Sequence, residues 1–141
     1  MTDHVLTLSF RSNEFRCHNG VPVPTELLPN LRTLCETVLQ PIRERWGAVI
    51  ITSGYRTPEW NERVGGAKTS THMTCEGADV RPVKLGDLNE FTRVIESMRA
   101  DGLLPGLGGI GTYLNWVHLD TRKAADGHLR RWMGNGMGAE R

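Results

Sequence analysis

The sequence has few cysteines, almost no net charge and no long apolar run. Its three cysteines form no CxxC pair, which argues against a disulfide framework and favours synthesis in a reducing cytoplasm. The formal charge is +1, from 17 basic and 16 acidic residues, so nothing predicts a nucleic acid or a membrane surface as partner. No segment predicts membrane insertion, and the N-terminus lacks the basic and apolar layout of a signal peptide.

A chain of 141 residues is long enough for one domain with a single modest core. No internal repeat or low-complexity linker divides it. We predict one domain over residues 1–141, with its core at about 10–122 and a polar C-terminal tail at 123–141. Gly134, Gly136 and Gly138 favour a frayed end to that tail. We expect the protein to be a monomer.

Two segments have the apolar periodicity of helices. From Thr25 to about Trp46, apolar residues recur at three- and four-residue spacing, which predicts a helix that Pro41 distorts. The same spacing recurs from Asp87, a suitable N-cap, to about Arg99. Strands are predicted at 48–52, 76–83, 110–113 and 116–121, the last two as an antiparallel pair.

Residues 70–80 carry a histidine and a carboxylate seven residues apart, His72 and Asp79. A neutral imidazole and a carboxylate together suit zinc. The segment is too rich in threonine, glycine and cysteine for an amphipathic helix, so we place both residues on a loop and the strand that it enters. Two ligands do not make a site, and a third is needed.

Residues 115–122 supply the candidate third ligand. Strand alternation places Trp116, His118, Asp120 and Arg122 on one face. Taken alone, this pattern favours a solvated charged face. Combined with the histidine and carboxylate above, His118 completes a three-ligand zinc site with a fourth position open to water, as in catalytic sites. Zinc lowers the pKa of that water and polarises a carbonyl, which is the chemistry of amide hydrolysis.

Arg56 lies in a turn just past the predicted buried strand at 48–52. From there a guanidinium group could reach into a cleft, bind a carboxylate bidentately or stabilise the oxyanion of a tetrahedral intermediate. Taken alone, Arg56 would be an ordinary surface arginine.

Three motifs in this order closely resemble the zinc D-alanyl-D-alanine carboxypeptidase family of the hedgehog/DD-peptidase fold. They are Ser53-Gly54-Tyr55-Arg56, Ser70-x-His72 with Ala78-Asp79 behind it, and Val117-His118-Leu119-Asp120. Phe15-Arg16-Cys17 resembles an element of the small phage and prophage members. The resemblance spans roughly 10–122, and three ordered motifs are a more specific signal than any one of them.

The resemblance implies an α+β fold, with helices packed on one face of a small, mostly antiparallel sheet. It implies one Zn²⁺ ion, held by His72, Asp79 and His118. It further implies that Arg56 binds substrate and stabilises the transition state, and that Ser70 lines the substrate site. Tyr55 and Trp116, which adjoin these motifs, are our further candidates for substrate binding.

Two positions depart from the family pattern. Cys75 stands where a glycine is usual, three residues after the first zinc histidine, and we interpret it as a packed residue rather than a fourth ligand. Asn115 stands where many members carry a glutamate or aspartate as general base, and an amide cannot accept that proton at neutral pH. Asp120 is the best substitute, either as the base or as a carboxylate that orients His118.

We therefore expect a zinc metallopeptidase that hydrolyses stem peptides or cross-links of peptidoglycan, as a D,D-carboxypeptidase or an endopeptidase. A phage or prophage endolysin fits best: a protein made in the cytoplasm without a signal peptide, which reaches the wall after holin-assisted release or as a virion component. Two alternatives stay open at this point. One is a non-catalytic zinc-containing module that binds peptidoglycan, favoured by Asn115; the other is a structural zinc domain with Cys75 as a fourth ligand.

Overall fold

A computed structural model describes residues 2–134. The first predicted helix is one helical segment in three parts: α1 (Leu28–Leu34), a π-helical turn (Cys35–Leu39) and α2 (Gln40–Trp46). In the π turn the N–H of Gln40 donates to the carbonyl of Cys35, five residues back. The distortion lies beside Pro41, which has no N–H to continue an α-helical ladder. A short helix α3 (Pro58–Arg63) and a longer one, α4 (Leu88–Ala100), follow.

Five strands form one sheet in the order β1-β2-β4-β3-β5. The neighbours β1–β2, β2–β4 and β4–β3 are antiparallel, while β5 runs parallel to β3. This confirms the predicted α+β fold with a mostly antiparallel sheet. The strands are β1 (Val49–Ser53), β2 (Gly77–Pro82), β3 (Gly109–Thr112), β4 (Val117–Asp120) and β5 (Arg130–Met133).

The sheet has one apolar face, and the long helices share its core. Val80, Ile110 and Leu119 are buried on this face together with the apolar stripes of α1–α2 and α4. Trp46 of α2 meets Phe91 of α4 edge to face, with ring centroids 5.2 Å apart. Because side chains alternate along a strand, Asp79, His118 and Asp120 point to the opposite face. None of the helices within 2–134 is long and apolar enough to span a membrane.

The tail predicted at 123–141 contains a strand that the sequence did not indicate. β5 is an edge strand of Arg-Arg-Trp-Met, and its residues are half-buried and exposed in alternation. It therefore has no apolar face of the kind that predicts a strand, and main-chain pairing with β3 holds it in place. The predicted frayed end at Gly136 and Gly138 lies outside the described residues.

Candidate active site

The three predicted zinc ligands converge on the open face of the sheet. Asp79 of β2 and His118 of β4 are direct partners across the strand pair, and His72 lies on the loop before β2. The Oδ1 atom of Asp79 is 3.3 Å from Nε2 of His72 and 2.9 Å from Nδ1 of His118. One potential ligand atom from each of the three residues lies within 4.8 Å of the others. Tetrahedral ligands about 2.0–2.1 Å from zinc lie about 3.3 Å from one another, so these spacings suit the ion.

Each imidazole has an acceptor beside the nitrogen that faces away from Asp79. Nδ1 of His72 is 2.7 Å from the carbonyl oxygen of Gly54, and Nε2 of His118 is 2.9 Å from Oδ2 of Asp120. These acceptors favour the tautomers in which each of those nitrogens carries the proton. The nitrogen facing Asp79 is then left with a lone pair, as a metal ligand requires.

The charges at the site also suit a divalent cation. Burial opposes ionisation of Asp79, yet the charge of His72 and the hydrogen bonds from the two histidines lower the pKa of this carboxyl. Burial likewise disfavours a charged His118, but its hydrogen bonds with Asp120 and Asp79 raise its pKa to about 9. Without metal, protonated His118 thus lies between two buried carboxylates and donates to both, and a metal ion would balance the same negative charge.

Arg56 reaches the site from the turn after β1. It is 5 % exposed, and its Nη2 atom is 3.7 Å from Oδ2 of Asp79. Its Nη1 donates to Oδ1 of Asn61 on α3, and Nδ2 of Asn61 donates to the carbonyl of Ala67. Thr57 caps the start of α3 by accepting from the N–H of Trp60, which fixes the helix that carries Asn61. Sequence reasoning missed Asn61, whose role depends on this tertiary contact.

A cleft of about 540 Å³ runs past these residues. The loop at 65–72 lines one side, and Ser70 holds it by accepting from the N–H of His72. The aromatic residues Tyr113, Trp116 and Trp132 line the other side, with Tyr113 and Trp116 stacked at a centroid distance of 4.8 Å. The substrate-binding assignments of Ser70 and Trp116 stay predictions, and both residues line the cleft.

Tyr55 is placed differently from its neighbour Arg56. Its side chain is 8 % exposed and belongs to the hydrophobic core rather than to the cleft lining. Its N–H donates to the carbonyl of Phe15, so Tyr55 ties the N-terminal segment to the sheet. Its substrate-binding assignment stays a prediction, and this position gives it no support.

Asp120 lies on the far side of the His118 ring from Asp79. Its side chain is fully buried. Oδ2 contacts the imidazole, while Oδ1 accepts from the N–H of Arg122 and from the guanidinium of Arg130. Its pKa is lowered because hydrogen bonds from His118 and Arg130 outweigh burial. This geometry suits a carboxylate that orients His118 better than one that accepts a proton in the cleft.

The two positions that depart from the family pattern lie outside the ligand cluster of the described residues. Cys75 is 1 % exposed among core residues, and burial raises the pKa of its thiol to about 12. Its φ of 59° is a conformation that glycine adopts more readily, which gives a physical reason for the usual glycine. Asn115 lies in the turn between β3 and β4 and does not line the cleft.

Arg130 and Trp132 of β5 were missed as site residues. Because they are two residues apart on a strand, their side chains lie on the same face of the sheet as His118 and Asp120, and both line the cleft. The ring of Trp132 is 5.4 Å from that of His118. The i, i+2 spacing of Arg130 and Trp132 is a signal of a shared face, but only for a segment already assigned as a strand.

In a comparison with known families, the sequence model of the family described as Peptidase M15 matches residues 8–120. No curated protein and no solved structure gives a significant match. The matched range includes His72, Asp79 and His118, and it ends before β5.

Proposed function

Because the chain belongs to the peptidase M15 family, of the zinc D-alanyl-D-alanine carboxypeptidase type, we propose that it is a zinc metallopeptidase that hydrolyses peptide bonds of bacterial peptidoglycan. It acts on stem peptides or cross-links, as a D,D-carboxypeptidase or an endopeptidase. The observation that carries this proposal is the convergence of His72, Asp79 and His118 in a cleft of a size typical of ligand sites.

His72, Asp79 and His118 hold the metal in this proposal. When bound, zinc would act as a Lewis acid and would lower the pKa of a water at the site toward neutrality. Arg56 contributes a fixed positive charge, since α3 holds its guanidinium beside Asp79 at the cleft wall. That charge faces the negative charge that develops on the scissile carbonyl, or the carboxylate end of a substrate.

Asp120 has two possible roles, and its position favours the orienting one. An acceptor of a proton in the cleft must come within about 3 Å of the proton that it removes, directly or through a water. Asp120 instead contacts the edge of His118 that faces away from Asp79. In the Asp120→Asn variant, loss of an orienting role weakens zinc binding and activity together. Loss of a base alone lowers kcat with zinc affinity unchanged.

We propose further that the protein is an endolysin-like enzyme of a phage or prophage, which reaches the wall by lysis or on a virion. The support is the Phe15-Arg16-Cys17 element, whose Phe15 and Cys17 are buried and anchor the N-terminal segment on the core. The test is to express the chain in bacteria with and without a holin. We expect lysis only when the holin is present.

Digestion of purified peptidoglycan tests the proposed activity. The zinc-loaded protein is incubated with walls of several peptide chemistries, and mass spectrometry identifies the released fragments. We expect new amine or carboxyl ends, which disappear in the His118→Ala variant. Bound zinc with no new ends from any wall would instead favour a non-catalytic peptidoglycan-binding module, to which Asn115 in the turn before β4 points.

A further inference from the structure

Two rows of side chains cross the open face of the sheet and end on β5. In one row, Asp120 of β4 pairs with Gly109 of β3, which pairs with Arg130 of β5. The neighbouring row joins His118, Gly111 and Trp132 in the same way. The outermost strand is therefore in register with the strand that carries a metal ligand, with a glycine between them in each row.

The two glycines of β3 let the β5 side chains reach β4. A Cβ atom at Gly109 would lie 2.6 Å from Nη2 of Arg130 and 2.7 Å from Oδ1 of Asp120. A Cβ at Gly111 would lie 2.5 Å from Cε2 of Trp132. All three distances are shorter than van der Waals contact, so a larger residue at either position would require these side chains to shift. The glycines thus provide the space for contact between β5 and β4.

Arg130 fills that space with a fixed geometry. Its Nη2 donates to Oδ1 of Asp120, and its Nε donates to the carbonyl of Arg122 at 2.7 Å. Its guanidinium carbon lies 5.2 Å from the ring centroid of Trp132, whose Nε1–H donates to the hydroxyl of Tyr113. The guanidinium is therefore held on two sides, with 31 % of the side chain exposed.

The pairing of Arg130 with Asp120 differs from a surface salt bridge. Asp120 is fully buried, and a buried carboxylate needs charged or hydrogen-bonding partners to stay ionised. Its other oxygen contacts Nε2 of His118. Arg131, the next residue, has the ordinary kind of pair: it contacts Glu96 on α4 with half of its side chain exposed. The two arginines thus provide a matched comparison.

We propose that Arg130 is a positioning residue for the metal centre: it holds Asp120, which in turn holds His118 with Nδ1 toward Asp79. The inference rests on the proposed zinc site and extends that site to a strand beyond the matched family range. Arg130 acts through another side chain and has no direct part in the reaction. Residues that contact a metal ligand directly, as Asp120 contacts His118, typically change metal affinity by roughly 10- to 100-fold when replaced. Arg130 acts one contact further out, so its effect should lie at or below the lower end of that range.

The test compares Arg130→Met with Arg131→Met in the full chain. Zinc affinity is measured by competition with a chromogenic chelator, and the absorption spectrum of the cobalt-substituted protein reports the ligand geometry. We expect Arg130→Met to weaken zinc binding by up to roughly 10-fold and to alter the cobalt spectrum. Arg131→Met should keep both properties. Arg130→Lys, which retains a positive charge beside Asp120, should show a smaller loss than Arg130→Met.

A double variant separates positioning from general destabilisation. If Arg130 acts through Asp120, Arg130→Met combined with Asp120→Asn loses no more zinc affinity than Asp120→Asn alone. Additive losses, or wild-type affinity and spectrum in a folded Arg130→Met protein, would overturn the inference while leaving the peptidase proposal intact. A wild-type chain that binds no zinc would overturn both. Circular dichroism verifies that each variant is folded. If Arg130→Met does not fold, Arg130→Lys replaces it in the same measurements.

Discussion

The two histidines of the site are held in different ways. A main-chain carbonyl, that of Gly54, accepts from His72, whereas a buried side chain, Asp120, holds His118. The first acceptor is a neutral main-chain group. The second is charged and depends on Arg130 in turn. The site thus combines a part fixed by the main chain with a part that single substitutions can loosen.

The largest expected effect is on the stability of the metal-free protein. His118→Ala leaves the buried carboxylates of Asp79 and Asp120 without their shared cation, and breaking a buried ion pair of this kind costs about 3 kcal/mol or more. His72→Ala should cost less, because Asp79 keeps His118 and Arg56 beside it. Urea denaturation with a chelator present measures the difference, and equal losses would contradict it.

The next effect is the dependence of zinc affinity on pH. Because its two carboxylate partners raise the pKa of His118 to about 9, a proton competes with the metal throughout the neutral range. The proton is released as the pH rises, so apparent zinc affinity should increase by roughly tenfold per pH unit between about pH 6 and 8. Competition titrations at several pH values test this. In Asp120→Asn the increase should level off at a lower pH, and an unchanged profile would argue against Asp120 as the cause.

Crowding the space beneath β5 should have a smaller effect. Gly109→Ala places a methyl group against Arg130 and Asp120, and overpacking of this kind costs about 1–3 kcal/mol. Zinc affinity should fall as well, since the displaced groups support His118. Gly86→Ala is the matched control, because a Cβ there meets no atom within 4 Å and its φ is not in the left-handed region. Thermal denaturation and chelator competition on both variants measure the two effects.

The smallest change in stability is expected from substitution of Cys75, on the loop that carries His72. Cys75→Gly relieves a left-handed conformation but removes a buried side chain, so the net change in stability should stay within about 1 kcal/mol. Zinc affinity should not change, because the thiol lies in the core. Weaker zinc binding in Cys75→Ser or Cys75→Gly would instead restore Cys75 as a candidate ligand.

The features of the site that could be predicted are marked by short motifs or by the two-residue alternation of a strand. The ordered motifs indicated His72, Asp79 and His118, and alternation indicated that Asp120 shares a face with His118. Apolar runs indicated four of the strands and the antiparallel pairing of β3 with β4, whereas the mostly antiparallel sheet was implied by the family resemblance. Pro41 indicated a distortion of the first helix, which takes the form of a π turn. Each of these features is marked by a pattern within a single stretch of the chain.

The unpredicted part depends on contacts between distant segments. Asn61 matters because α3 returns its side chain to Arg56, and Arg130 because β5 crosses to the far edge of the sheet. Nothing in Arg-Arg-Trp-Met is typical of a strand with an apolar face. Gly109 and Gly111 lie on β3, and the space that they provide for side chains of β4 and β5 depends on the pairing of distant segments.

The parallel pairing of β5 with β3 has a consequence for anyone who cuts or grafts this domain. A fragment trimmed to residues 8–120, the range that the family model matches, would retain His72, Asp79 and His118 and lose Arg130. Its β3 edge would also be left unpaired, which invites association between copies. A fragment that keeps the whole site therefore has to extend through residue 133, where β5 ends, and not only through the last proposed metal ligand.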